Sequence, residues 1–340
     1  MDNRIFFTYK VEDRSYVSFI KREIHNIVIQ AGFSSMRAGE VDIIVSELTS
    51  NLIKYANGGE LIYRLSEEGD NKTFEIFCMD DGPGTNDITK MMRDGASSAN
   101  TLGHGLGAIK RLSDFFQIYS KEDWGTVAYA KVHMHPVTPK IQRGSGELKI
   151  QAIQLPLPGE KVCGDGYWIK KNGAETHIFL GDGLGHGPLA YEAVQTAIAA
   201  FKECQESDPV DILRFIHQNV KKTRGLVGTV AILNSKKNEW NICGIGNITT
   251  RLYQGLESKN CISHNGIIGM NIPNTIDSYR VPADTYPGII MYSDGIRNRW
   301  NPAKFPFILN YDSSIIASVI FKDNARRTDD MTILTGKVTH

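Results

Sequence analysis

Apolar, strand-like runs that end in aspartate and glycine recur along this chain, and they set what it can fold into. FEIFCMDDGPG (Phe74 to Gly84) is one; GEKVCGDGYW, IFLGDGLGHG, IIMYSDGI and RTDDMTI place four more acidic segments after residue 158. Between these runs lie stretches of helical period. RSYVSFIKREIHNIVIQAGF puts Val17, Ile20, Ile24, Ile27 and Val28 on one stripe, and Gly32 ends it. Strands mixed with helices in this way predict a sheet-based α/β (α+β) chain, not a helical bundle.

At 340 residues there is room for two domains, each with its own core. HPVTPKIQRGSGELK (His135 to Lys149) has two prolines, two glycines and no apolar period, and marks the boundary. The expected division is a first domain at 1–135, a linker at 136–147 and a second domain at 148–340. In the first, RIFFTYKV is a strand, a second helix covers Met36 to Tyr55, and strands follow near Glu60 to Leu65 and Thr73 to Met79. A helix opens after the glycines at 103 to 107, and GTVAYAKV is a closing strand. In the second, ELKIQAIQL, AETHIFLGD, GTVAILN, EWNICGIG, ITTRLYQG and GIIMYSD alternate as strands. Two helices interrupt them, one from Pro188 and one over Pro209 to Lys221, which predicts a β-sandwich flanked by helices.

The 38 Lys+Arg balance 38 Asp+Glu, so no basic footprint for nucleic acid is expected. Five cysteines (Cys78, Cys163, Cys204, Cys243, Cys261) are scattered without a CxxC pair, which argues against a disulfide framework or a zinc site. No apolar run reaches the roughly 18–20 residues that span a bilayer, and MDNRIFFTYKVEDR lacks a signal-peptide layout. The expectation is a cytoplasmic protein with no membrane contact.

Two constellations carry chemistry. In the first region, ELTSNLIKYA places Glu47 and Asn51 four apart, on one helix face, as a general base and a magnesium ligand. Asp80, at the end of a strand, can accept from an exocyclic amine such as that of adenine. Gly82 and Gly84 let backbone approach a base and sugar closely. Gly103, Gly105 and Gly107 open a helix whose free N–H groups favour phosphate. The segments ELTSNLIKYA, DDGPG and GHGLGAIKRLSDFF resemble the N, G1 and G2 boxes of the GHKL ATPases, most of all the anti-sigma serine kinases of bacterial partner switching. The resemblance covers about residues 1–134. It implies a Bergerat ATP-binding fold, with ATP and Mg2+ as cofactors, Glu47 as base, Asn51 on magnesium, Asp80 on adenine and the three glycines over the phosphates. Neither an upstream phospho-accepting helical domain nor a transducer domain is evident, so transfer to a protein Ser or Thr is expected. The alternative is that this domain only binds ATP or a partner and gates the other.

In the second region Asp165, Asp182, Asp294 and the pair Asp329–Asp330 stand apart in sequence. Carboxylates gathered from separate loops repel unless a cation neutralises them, and hard divalent metals prefer such oxygens. Two metals about 3.5–4 Å apart can activate one water toward phosphorus. DGLGHG before a helix, SDG after a strand and DDMT resemble the metal-dependent PPM protein phosphatases of the SpoIIE type, over about residues 148–338. That resemblance implies an α-β-β-α sandwich holding two Mn2+ or Mg2+ through Asp165, Asp182, the Gly183 carbonyl, Asp294 and Asp329. Asp330 is expected to support its loop, and His186 to serve helix start or loop more than proton donation. No arginine near Asp165 offers itself to phosphate. Together the two resemblances imply a serine/threonine phosphatase fused to a serine kinase-like domain, acting on STAS-type antagonist or scaffold proteins. A nucleotide phosphohydrolase would want a basic cluster beside the aspartates, and the sequence offers none.

Overall fold

The computed structural model describes residues 4–69, 71–88, 105–136 and 147–339, which fall into two compact units, Met1–Ile141 and Gln142–His340.

The first unit runs β1 (Phe7–Val11), α1 (Arg14–Gln30), α2 (Ser35–Tyr55), β2 (Gly59–Glu68), β3 (Asn71–Asp80), α3 (Gly105–Leu112), β4 (Phe115–Lys121) and β5 (Gly125–His133). Asp13 starts α1 by accepting from the backbone N–H groups of Ser15 and Tyr16, and the Ser34 hydroxyl accepts from Arg37 N–H at the start of α2. The strands form one sheet in the order β1-β2-β3-β5-β4, every neighbour antiparallel. Period-2 alternation sends Leu61, Tyr63, Phe74, Ile76, Cys78, Ala128 and Ala130 to one face. There they meet Ile20, Ile24 and Val28 of α1 and Val41, Ile44, Leu48 and Leu52 of α2. The opposite alternation buries Glu75, Phe77 and Tyr129, with the last two rings stacked at 4.2 Å.

The second unit opens with β6 (Glu147–Leu155), β7 (Asp165–Asn172), β8 (Glu175–Gly183), α4 (Pro188–Glu203) and α5 (Pro209–Asn219). It continues with β9 (Leu226–Asn234), β10 (Glu239–Ile245), β11 (Thr249–Gln254), β12 (Glu257–Cys261), β13 (Tyr279–Pro282) and β14 (Gly288–Tyr292). Helix α6 (Ser313–Asn324) and β15 (Met331–Thr339) complete it. Two antiparallel sheets result, β13-β10-β9-β8-β7 and β12-β11-β14-β15-β6. Ile178 and Leu180 face the space between sheets with Leu252, Ile289, Met291 and Leu334, while Phe179, Val230 and Ile232 face α4 and α5. Helix α6 packs on β6 and β15. The layers are therefore α-β-β-α.

The sequence pattern names two helices here, and α6 is a third. Its run from Ser313 to Phe321 is buried on every side, so it carries no apolar stripe for a period to reveal. Among the described residues, no helix is long and apolar enough to cross a membrane.

Candidate functional site

Two sites, one in each unit, gather the residues singled out by the sequence. In the first unit, Glu47 and Asn51 lie one turn apart on α2, both half-buried. A Cβ added at Gly105 would stand 2.7 Å from Glu47 Oε2, so the carboxylate rests against the first residue of α3. Asp80 ends β3, and its Oδ1 accepts from Gly82 N–H at 2.8 Å. A Cβ at Gly82 would meet that same oxygen and Ala56 Cβ, each at 2.9 Å, which holds the turn against the C-terminal end of α2. Gly84 has φ +62°, and a Cβ there would overlap the Lys121 carbonyl. Only glycine suits that position. Gly107 lies in α3, whereas Gly103 is outside the described residues. Helix α2 thus touches both segments, the β3 turn through Ala56 and the start of α3 through Glu47.

In the second unit, strand register builds the site. Asp165, first residue of β7, pairs directly with Asp182 near the end of β8. Ser293 and Asp294 follow β14, and Asp329 and Asp330 precede β15, which is the neighbour of β14. The two sheets therefore bring four acidic segments to one end. Asp182, Gly183, Asn247, Asn265, Asp294 and Asp329 line a cavity of about 370 Å³. Asp165 is buried behind it, 1% exposed, and its Oδ2 accepts from Ser293 Oγ at 2.6 Å. Among the described residues its Oδ1 has no hydrogen-bond partner.

Electrostatics show what this costs an isolated carboxylate cluster. Burial pushes the Asp165 carboxyl up to about 8, against the Ser293 hydrogen bond and with the help of Asp330 and Asp294. Asp182 is raised well above the carboxylate range by burial and then by Asp165, Asp294, Asp329 and Asp330. Burial and Asp329 raise Asp294, whose Oδ2 accepts from Asn247 at 3.0 Å. Among the described residues no three of these carboxylates are drawn around a single point; they border a shared space. An orphaned buried oxygen, mutual repulsion and an all-oxygen donor set fit a hard divalent cation.

Asp330 is different. Both its oxygens are used, Oδ1 by Leu157 N–H and Oδ2 by Gly164 N–H, each at 2.9 Å. Gly183 N–H donates to the Gly164 carbonyl at 3.0 Å, and a Cβ at Gly183 would stand 2.5 Å from Ala190 O. His186 is exposed, with Nδ1 3.0 Å from Glu160 Oε1. Sequence reasoning missed Ser293, Asn247, Asn265 and Glu160. Ser293 and Asn247 adjoin recognisable segments (SDG and GIGN), but only the folded register shows which carboxylate each one serves.

Comparison with known proteins follows these two sites. The family described as "Histidine kinase-like ATPase domain" matches residues 11–131. Over 102 residues the chain is 36% identical to the serine/threonine-protein kinase RsbT of Bacillus subtilis (strain 168), a match spanning 30% of this chain and 76% of RsbT. Over 96 residues it is 31% identical to the phosphoserine phosphatase RsbX of the same organism, spanning 28% of this chain and 48% of RsbX, about half that protein's length. A solved chain described as "The bacterial stressosome: a modular system that has been adapted to control secondary messenger signaling" is 24% identical with a TM-score of 0.52. That match covers 56% of this chain and 100% of the other, and shows likeness of fold.

Proposed function

The chain belongs to the family of the serine/threonine-protein kinase RsbT, and we propose that it is a cytoplasmic regulator with two opposed phosphate activities. The first domain transfers the γ-phosphate of ATP to a protein serine or threonine. The second hydrolyses phosphoserine or phosphothreonine on partner proteins. STAS-type antagonists or scaffolds are the proposed substrates, with separate substrates or reciprocal control preventing futile cycling.

In the first domain Glu47 accepts the proton of the attacking hydroxyl, and Asn51, on the same helix face, would hold Mg2+. Asp80 would take the adenine amine. Gly82 and Gly84 let the turn after Asp80 pack against Ala56 and Lys121 beside the base, and Gly103, Gly105 and Gly107 would border the phosphates.

In the second domain Asp165, Asp182, the Gly183 carbonyl, Asp294 and Asp329 would hold two Mn2+ or Mg2+. Cations held there would offset the repulsion among these carboxylates and would supply an acidified water for attack on phosphorus. Ser293 fixes one oxygen of Asp165 and leaves the other available, while Asn247 orients Asp294. Asp330 pins the loop that begins β7. The observation that carries this reading is the approach of Asp182, Asp294 and Asp329 to one cavity with buried Asp165 behind it.

The test is incubation with labelled ATP, Mn2+ and candidate STAS proteins. Label should enter the substrate with wild type and Asp182→Ala but not with Glu47→Ala. Prephosphorylated substrate should lose label with Glu47→Ala but not with Asp182→Ala. Dephosphorylation that survives Asp182→Ala removes the proposed metal site.

A further inference from the structure

One amide on the wall of the acidic cavity has no evident part in holding its own loop. Asn265 lines that cavity with Asp182, Asp294 and Asp329, and it lies on the loop between β12 and β13. Asparagine favours loops for two reasons, a left-handed backbone and a side chain that closes a turn on its own main chain. Neither holds here. The positive φ belongs to the next residue, Gly266 at +148°, where a Cβ would stand 2.8 Å from the Asn271 carbonyl. Among the described residues no hydrogen bond engages the Asn265 side chain.

The loop is clamped on both sides of this residue. His264 N–H donates to the Gly244 carbonyl, and the His264 carbonyl accepts from Gly246 N–H, each at 2.8 Å. These bonds tie the preceding residue to the end of β10. Beyond Gly266, Ile267 N–H donates to the Asn271 carbonyl at 2.7 Å. Ile268 exchanges two backbone hydrogen bonds, 2.8 and 3.1 Å, with Leu226 at the start of β9. Gly269 N–H donates to Nδ1 of buried His217 on α5 at 3.0 Å. Asn265 is thus exposed on a fixed frame, and little ordering is needed when a ligand meets it.

The other polar side chains of the wall are engaged. Asp182, Asp294 and Asp329 form the repelling cluster, and Asn247 donates to Asp294 at 3.0 Å. Asn265 is left, and it is neutral. A primary amide carries an acceptor and N–H donors, the same functions as a peptide group. A phosphorylated serine that reaches the aspartates brings its main chain with it, and polar groups desolvated there need partners. A neutral amide meets that need without adding charge to the cluster.

We infer that Asn265 is a substrate-binding residue of the acidic cavity, pairing through Oδ1 and Nδ2 with main-chain N–H and C=O groups beside the phosphorylated residue. The inference rests on the phosphatase reading above and deepens it. Recognition through backbone groups does not depend on neighbouring side chains, so one site can serve phosphoproteins of different sequence.

The experiment uses the full chain with Mn2+ and compares p-nitrophenyl phosphate, free phosphoserine and a serine-phosphorylated peptide. Of these, the peptide alone has peptide groups on both sides of the phosphorylated residue. Asn265→Ala should raise KM for the peptide by about five- to tenfold, as expected for one or two neutral hydrogen bonds. KM for the two small esters should stay within about twofold, and the Mn2+ activation midpoint should not move. Partial unfolding of the variant would lower kcat on all three alike and leave the KM values readable. An unchanged KM for the peptide, or an equal rise on all three, overturns the inference and leaves the phosphatase reading in place. A shifted Mn2+ midpoint also overturns it, because the amide oxygen would then be a metal ligand. If wild type hydrolyses none of the three, the phosphatase reading fails and the role of Asn265 goes with it.

Discussion

Ser293 donates a 2.6 Å hydrogen bond to buried Asp165, linking the end of β14 in one sheet to the start of β7 in the other. The same Ser293 Oγ accepts from Thr332 N–H at 3.0 Å. Ser293→Ala removes the group that orients Asp165 and leaves a second carboxylate oxygen unpartnered. The expected outcome is a loss of about 10–100-fold in divalent-metal affinity. A Mn2+ titration of phosphatase activity, with kcat taken at saturation, reads it.

The acidic cavity makes an opposite prediction for stability. Without metal, Asp182 is repelled by Asp165, Asp294 and Asp329. Asp182→Asn should therefore melt higher than wild type in EDTA. Wild type should gain about 2.7 kcal/mol at a hundredfold excess of metal over its Kd, and the variant much less. Asp330→Asn should behave otherwise. It disturbs two backbone hydrogen bonds and should cost about 1–3 kcal/mol whether or not metal is present. Melting curves with and without Mn2+ separate the two.

Two glycines of the first unit should fail differently. A Cβ at Gly105 meets the far end of Glu47, which can move aside. Gly105→Ala should leave the fold intact yet cut phosphoryl transfer by about 100-fold through misplacement of the carboxylate. A Cβ at Gly84 meets rigid backbone at a positive φ. Gly84→Ala should lower stability by more than about 1 kcal/mol. Denaturant unfolding beside a transfer assay distinguishes them.

Glu75 predicts an acid limit for the first unit. Burial alone would raise its pKa. Arg64, Lys131 and the hydroxyls of Tyr129 and Ser66 overcome that and hold it down to about 2. A folded value below the unfolded one means stability that is full above the ordinary glutamate range and is lost as pH falls toward about 2. The loss is on the order of 3 kcal/mol. Glu75→Gln should remove this pH dependence and also destabilise the unit at neutral pH, because the buried Arg64 guanidinium then loses the opposite charge of Glu75. Unfolding followed between pH 6 and pH 2 (the range about this titration) checks both.

Helices with a wet side were legible in the sequence. Ile20, Ile24 and Val28 of α1 and Ala190, Ala193, Val194, Ala197, Ile198 and Phe201 of α4 are buried as their spacing predicts. Helix α6 was not, since no solvent-facing side interrupts its apolar run. The strand DGYWIKKN was hidden as well, because its buried end is Asp-Gly, a pattern that otherwise marks a turn. Motif spacing named the carboxylates but could not name Ser293 as the partner of Asp165, or Asn265 as part of the wall that Asp182, Asp294 and Asp329 share. Those relations depend on which strands pair and where separate loops meet, and no local pattern encodes them.

Asp330 reaches back 173 positions to Leu157, and β15, the strand that follows it, lies between β6 and β14. During synthesis, β6 therefore leaves the ribosome long before its neighbour exists. The sheet of the first unit, completed by β5, can be finished while the second unit still lacks the strand that joins β6 to β14. Nascent chains stalled ahead of Asp329 should resist protease over the first unit and be cut throughout the second, so that protection spreads to β6 only once β15 has emerged beside it.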